Sequence, residues 1–206
     1  MADRVRASNG VILAGALAVL PAAASAAPAL QSGVYDNTLL LAVDPASGAV
    51  SGYFDMTQGG QPSFSCIFYL KGRIAGGSAA IDTYFPGDPN SDRITGRLAT
   101  SAGGVRITLP TEHGGCANVW HFADAENPAD FALQAARPWT QVRVVKAAKA
   151  YFFPAPGAAH GRAYVVRGDG VGVRAVQAGW VKADFPGETR TSSGWLRESD
   201  LYLSAP

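Results

Sequence analysis

The chain has 206 residues, a formal net charge of +1 and only 16% charged residues, below the usual quarter. That balance excludes a nucleic-acid binder working through a basic stripe, because neutralising phosphates requires a surplus of Lys and Arg. Its 24 glycines and 13 prolines, with no long amphipathic helical period, indicate many turns and an all-β chain.

The chain opens with the pattern of an export signal. Arg4 and Arg6 form a positive head, and residues 11–20 (VILAGALAVL) form an apolar run. Pro21 breaks that run, and Ala24-Ser25-Ala26 has the small-x-small form read by signal peptidases, so cleavage is expected after Ala26, leaving Ala27 first. The run is too short for a membrane span, which needs about 20 apolar residues. No cysteine precedes Cys66, so no lipid-modified cysteine is expected near the new N-terminus. The expected location is the periplasm or the medium, with no membrane attachment after cleavage. Removing residues 1–26 takes two of 17 basic and one of 16 acidic residues, leaving 15 of each.

Residues 28–135 read as a first domain. Alternating segments recur about every ten residues. Leu39, Leu41 and Val43 share one parity; Val50, Gly52, Phe54 and Met56 follow, then Phe64, Cys66, Phe68 and Leu70. Next come Ile81, Thr83 and Phe85; Ile94, Gly96 and Leu98; and Val105, Ile107 and Leu109. Cys116, Asn118, Trp120 and Phe122 are read as the closing strand. Seven or eight strands joined by short turns predict an antiparallel barrel or a sandwich. Cys66 and Cys116, the only cysteines, both lie on the apolar parity. In an exported chain they are expected to form a disulfide and leave no free thiol.

Several constellations in this domain carry residue types used in catalysis or metal binding. Cys66 lies mid-strand in SFSCIFYL with no helix to lower its pKa, unlike a cysteine nucleophile. His113, Cys116 and His121 could contribute to a zinc site, but the disulfide competes for the sulfur, so no metal is expected. Asp88, Asn90 and Asp92 alternate like calcium ligands, yet Arg93 and Ala99 stand where a calcium loop needs glycine and an acid. Glu112 and His113 lack a serine nucleophile or oxyanion motif. No catalytic residue and no cofactor are assigned.

Residues 135–138 (AARP) read as a linker, and residues 140–206 as a second domain expected to fold alone. Strands are predicted at residues 149–153, 163–167, 170–176, 180–185 and 194–196, with a closing single turn at 198–201. Gly168-x-Gly170-x-Gly172 is not a dinucleotide loop, because no helix follows it. Parity places Trp180, Lys182 and Asp184 on an outward face and Val181, Ala183 and Phe185 in the core.

Arg167-Gly168-Asp169 before a valine strand, Gly179-Trp180-Val181, and Gly194-Trp195-Leu196 leading to Ser199-Asp200-Leu201 resemble the bacterial SH3-like domain. The resemblance covers about 60 residues and implies a small barrel used for binding. It implies cell-wall peptidoglycan, its peptide stems or a periplasmic protein as partner. It places Trp180 in the groove; Trp195 is expected to border the site, and Tyr151 and Tyr164 are further ligand-contacting candidates. Arg197 and Asp200 stand where the proline and tyrosine of proline-peptide binders would be. The opening Gly33-x-Tyr35 and strand spacing of the first domain resemble calycin-type barrels, in pattern only. The reading is therefore an exported, non-enzymatic binding protein. The alternatives are a carrier with an apolar cavity bounded by Phe54, Phe64, Phe68 and Trp120, and an inhibitor or accessory factor of a wall hydrolase acting through residues 86–92.

Overall fold

The structure is a computed structural model that describes residues 29–88 and 91–203. The expected export signal and its cleavage point lie outside the described residues, as does Asn90. The described chain is all-β: a closed eight-stranded antiparallel barrel followed by a smaller two-sheet unit.

The barrel strands are β1 (Gly33–Tyr35), β2 (Leu39–Val43), β3 (Ala49–Gly59), β4 (Ser63–Ala75), β5 (Ser78–Tyr84), β6 (Ile94–Ser101), β7 (Gly104–Thr108) and β8 (Ala129–Ala136). Each pairs with the next, and β1 closes on β8. Closure leaves the barrel no open sheet edge. Its interior is filled by aromatic rings. Phe54 and Phe68 stack at 5.2 Å, and Phe122 meets both edge-on at 5.1 and 5.0 Å. Phe131 lies 5.6 Å from Phe54.

The barrel departs from the sequence expectation at two points. Cys116–Asn118 forms a 3-10 turn, not the closing strand. Gly115 before it takes a left-handed conformation (φ 85°) that L side chains rarely adopt, and this turns the chain inward. The turn places Cys116 in a disulfide with Cys66 of β4, across 50 residues. The barrel is instead closed by β8, within the segment that ran up to the expected linker. Ala129 and Phe131 of β8 are buried.

The smaller unit contains a four-stranded sheet in the order β14-β13-β12-β9 and a hairpin, β10-β11. Its strands are β9 (Gln141–Val144), β10 (Lys149–Phe152), β11 (Ala163–Val166), β12 (Gly170–Gln177), β13 (Trp180–Pro186) and β14 (Thr191–Arg197). A bridge between Phe153 and Trp195 joins the hairpin to β14. Val145, Phe152, Val171, Val173, Val181, Ala183, Leu196 and Leu201 are among the residues forming its core.

A third apolar cluster belongs to both units. Val34, Leu40, Ala42, Tyr53 and Tyr69 on the outside of the barrel pack with Trp139, Val142 and Val144. Trp139, which the sequence reading gave to neither domain, is 1% exposed. Two glycines of β12 permit this approach. A Cβ on Gly170 would strike the Tyr53 ring, and one on Gly172 would strike the Trp139 indole. The exposed edge of β9 is capped by barrel side chains. Ser51 Oγ accepts from the Val142 amide at 2.8 Å, and the Tyr69 hydroxyl donates to the Val142 carbonyl at 2.9 Å. The shared cluster removes the ground for expecting residues 140–206 to fold alone.

Asp184 departs from the outward position its parity predicts. It shares the parity of Trp180 and Lys182 but is buried rather than outward. Its carboxylate accepts from Trp139 Nε1 at 2.9 Å, from Ser193 Oγ at 2.6 Å and from the Arg174 guanidinium. Burial pushes its pKa up, but these hydrogen bonds together outweigh that and hold it below the ordinary value.

Candidate functional site

The outward end of the four-stranded sheet gathers aromatic rings and cations. Trp180 of β13 lies opposite Arg197 of β14, and Lys182 lies opposite Trp195. These four side chains therefore share one face. Phe153 joins them through its bridge to Trp195. The Phe153 and Trp180 rings meet edge-on at 5.3 Å. The Arg197 guanidinium stands 5.6 Å from the Phe153 ring centre and 5.9 Å from that of Trp180. Lys182 Nζ lies 6.0 Å from the Trp195 ring. Trp180 and Trp195 are half-buried, Arg197 and Lys182 are exposed, and Val181 behind them is fully buried. The expected register of β13 therefore holds at Trp180, Val181 and Ala183, while Phe185 is half-buried against the core. Rings with nearby cations can bind apolar or sugar surfaces that carry carboxylates.

Tyr151 and Tyr164 form a separate pair. They face each other across β10-β11 at 5.7 Å, 43% and 51% exposed, with Lys149 Nζ 4.6 Å from the Tyr164 ring. The four sequence candidates thus fall into two clusters, and only Trp180 and Trp195 share one.

The constellations weighed for catalysis are used structurally. Thr83 Oγ1 donates to the Ile94 carbonyl at 2.9 Å and has no second proton to give. It must then accept from His113 Nε2, 2.7 Å away, which fixes that tautomer. The His113 ring stacks on Phe68 at 5.3 Å, and burial lowers its pKa, so it is held neutral. Glu112 Oε1 accepts from the Ala123 amide at 2.8 Å. Cys116 is in the disulfide, and no cluster of three or more metal-binding side chains occurs among the described residues. The residues named for an apolar cavity are spread between the barrel interior and its surface. Phe54 and Phe68 are stacked and fully buried, Phe64 is 40% exposed, and Trp120 packs on Phe131.

A cleft that no sequence pattern indicated runs between the barrel and the smaller unit. Its aromatic part, about 350 Å³, is lined by Tyr69, Tyr84, Phe85, Arg93, Val144, Tyr202 and Leu203, among others. A polar part of about 690 Å³ adjoins it through Tyr69 and Arg93 and includes Lys71, Arg73 and Asp82. The Arg93 guanidinium lies 4.9 Å from the Tyr84 ring centre, and Lys71 Nζ lies 5.9 Å from it. Burial raises the Tyr84 pKa against the opposing effect of Arg93, so the phenol stays protonated. The residues that line the cleft come from positions 44 to 203 and meet only through the docking of the two units.

No protein-family model, no curated protein and no solved structure matches this chain.

Proposed function

We propose that this is an exported, non-catalytic binding protein whose smaller unit is an SH3-like domain that attaches to cell-wall peptidoglycan through the face around Trp180. The observation that carries the reading is the outward grouping of Trp180 and Trp195 with Arg197 and Lys182, backed by the buried ring of Phe153. An indole kept half-exposed on so small a unit marks a contact surface, because tryptophan and arginine are the residues that most often dominate interfaces. Peptidoglycan offers flat sugar faces to the rings and stem carboxylates to the two cations. The export reading is supported by the N-terminal pattern and by the disulfide, since disulfides persist in oxidising compartments. Among the described residues no helix is long and apolar enough to cross a membrane.

Sedimentation with insoluble cell wall tests the proposal. The purified protein should co-sediment, and Trp180→Ala should weaken this by about 2 kcal/mol, roughly thirtyfold. Capture of a periplasmic protein, with no wall binding, would replace the wall by a protein partner on the same face. Undiminished binding by a folded Trp180→Ala variant would remove this face from the function.

A further inference from the structure

We infer that the cleft between the two units is a second binding site, for a singly charged carboxylate with an apolar body, and that Arg93 is its anchor. The size is right for a small ligand. The aromatic part alone, about 350 Å³, lies within the range of small-molecule pockets.

The anchor is preorganised. Arg93 lies over the Tyr84 ring, 4.9 Å from its centre, which restrains the guanidinium and leaves N–H groups for an incoming anion. Its ion pair with Asp82 is long, at 3.8 Å, and the Arg93 side chain is 53% exposed. The other Asp82 oxygen accepts from the Thr95 hydroxyl at 2.8 Å. Arg93 thus has weak competition for its donors. Lys71, near the same ring, adds a second positive charge.

The remaining walls select an apolar body. Phe85 and Leu203 form the lips, 48% and 66% exposed, and Val144 and Tyr202 also line the cleft. The Tyr69 hydroxyl is engaged with the Val142 carbonyl, so Tyr69 presents mainly its ring. Asp82 and Asp88 close by disfavour a multiply charged ligand such as phosphate. One carboxylate attached to an aryl or branched side chain meets all of these conditions. The C-terminal end of a peptide and a free aryl acid both supply that chemistry.

The test is titration of the full, oxidised protein by NMR with four probes: N-acetyl-L-phenylalanine, its amide, 3-phenylpropanoate and inorganic phosphate. Both carboxylates should shift resonances of Tyr84, Val144 and Tyr202. The amide should bind about ten- to a hundredfold more weakly than N-acetyl-L-phenylalanine, the loss of a charge-assisted hydrogen bond. Arg93→Gln, checked for an unchanged thermal midpoint, should abolish that discrimination, and Arg93→Lys should keep part of it. Tighter binding of N-acetyl-L-phenylalanine than of 3-phenylpropanoate identifies a peptide end as the source, and the reverse order a free aryl acid. Trp180→Ala should leave all of these affinities unchanged, which separates this site from the proposed wall-binding face. The inference is overturned if acid and amide bind equally, if phosphate binds tighter than either carboxylate, if Arg93→Gln binds like the parent, or if no probe shifts these resonances at millimolar concentration.

Discussion

The barrel and the smaller unit solve the problem of a stable core in different ways. The barrel closes on itself, fills its interior with phenylalanines and carries the Cys66–Cys116 bond. The smaller unit has a core dominated by valine, leucine and alanine, and one face of its sheet is completed by the outside of the barrel. A unit of about sixty residues buries little surface by itself and is marginal alone. Docking on the barrel compensates for this, and it also creates the cleft. The barrel is therefore expected to be the autonomous partner and the smaller unit the dependent one.

The largest test of that contrast is Trp139→Ala. Removing a fully buried indole costs about 4 kcal/mol. Here the loss falls on the seam, where the indole packs on Gly172 and donates to Asp184. Hydrogen exchange should speed up in β12 and β13 far more than in β3 and β4. A fragment of residues 140–206, which lacks Trp139 and the barrel, should give a poorly dispersed amide spectrum. Equal acceleration in both units would make the molecule one cooperative whole and erase the contrast.

Replacing both Cys66 and Cys116 by serine probes the other side. A closed loop of 50 residues is worth about 4 kcal/mol in the chain-entropy model, an upper figure for a bond inside a packed barrel. Exchange should rise in β3 to β5, with β12 to β14 following only once the barrel itself opens. If the smaller unit loosened first, the direction of dependence would be wrong.

Much of this fold was legible in the sequence, and the failures have physical causes. Period-two alternation from Val50 to Leu109 located barrel strands correctly because each turns a dry face to the barrel interior. In Leu39-Leu40-Leu41-Ala42-Val43 the alternation fails, since Leu39 and Leu41 face the interior while Leu40 and Ala42 face the smaller unit. That unbroken run was the available signal of a second buried face. The segment at Cys116 alternates like a strand, but the turn at Gly115 and the disulfide override it. β8 was passed over because alanine-rich alternation resembles a linker. On β13 parity placed Trp180 and Val181 correctly and failed at Asp184, where Trp139, Ser193 and Arg174 make burial of a carboxylate tolerable. The face around Trp180 was legible in part: glycine–tryptophan steps mark Trp180 and Trp195, but no pattern marks Phe153 or Arg197 as their neighbours. The cleft left no local trace.

A smaller effect concerns that same strand. Val181→Ala should cost about 2 kcal/mol, since its side chain is fully buried. Trp180→Ala should cost less than half of that, because Trp180 is half-exposed and lies outside the core. Chemical denaturation of the two variants compares them directly. A larger loss at Trp180 would mean that its contacts with Phe153 and Arg197 brace the unit, and would weaken the case for a binding face.

The smallest effect, and the most specific to the seam, is the pH dependence conferred by Asp184. Its carboxyl is held below its ordinary 3.8 by hydrogen bonds from Ser193, Trp139 and Arg174, which outweigh the cost of burial. A folded-state pKa below the unfolded one means that the native state favours the ionised form. The resulting stability is fully present above about 3.8 and fades as pH falls through the lower, folded value. Asp55 and Asp169 act in the opposite sense. Burial, and for Asp55 also the charge of Asp169, raises their pKa values, so their contribution declines as pH rises through the raised values. The slope of the parent protein therefore mixes both signs, and a single acid titration would not isolate Asp184. The difference between the parent and Asp184→Asn removes the mixture, because Asp55 and Asp169 are the same in both. Asparagine can still accept from Trp139 but cannot pair with Arg174 or accept at both positions. The variant should be less stable at neutral pH, and the gap should shrink as pH falls below 3.8. A gap that stays constant across that range would show that Asp184 acts through shape alone, and that the seam between the two units carries no charge of consequence.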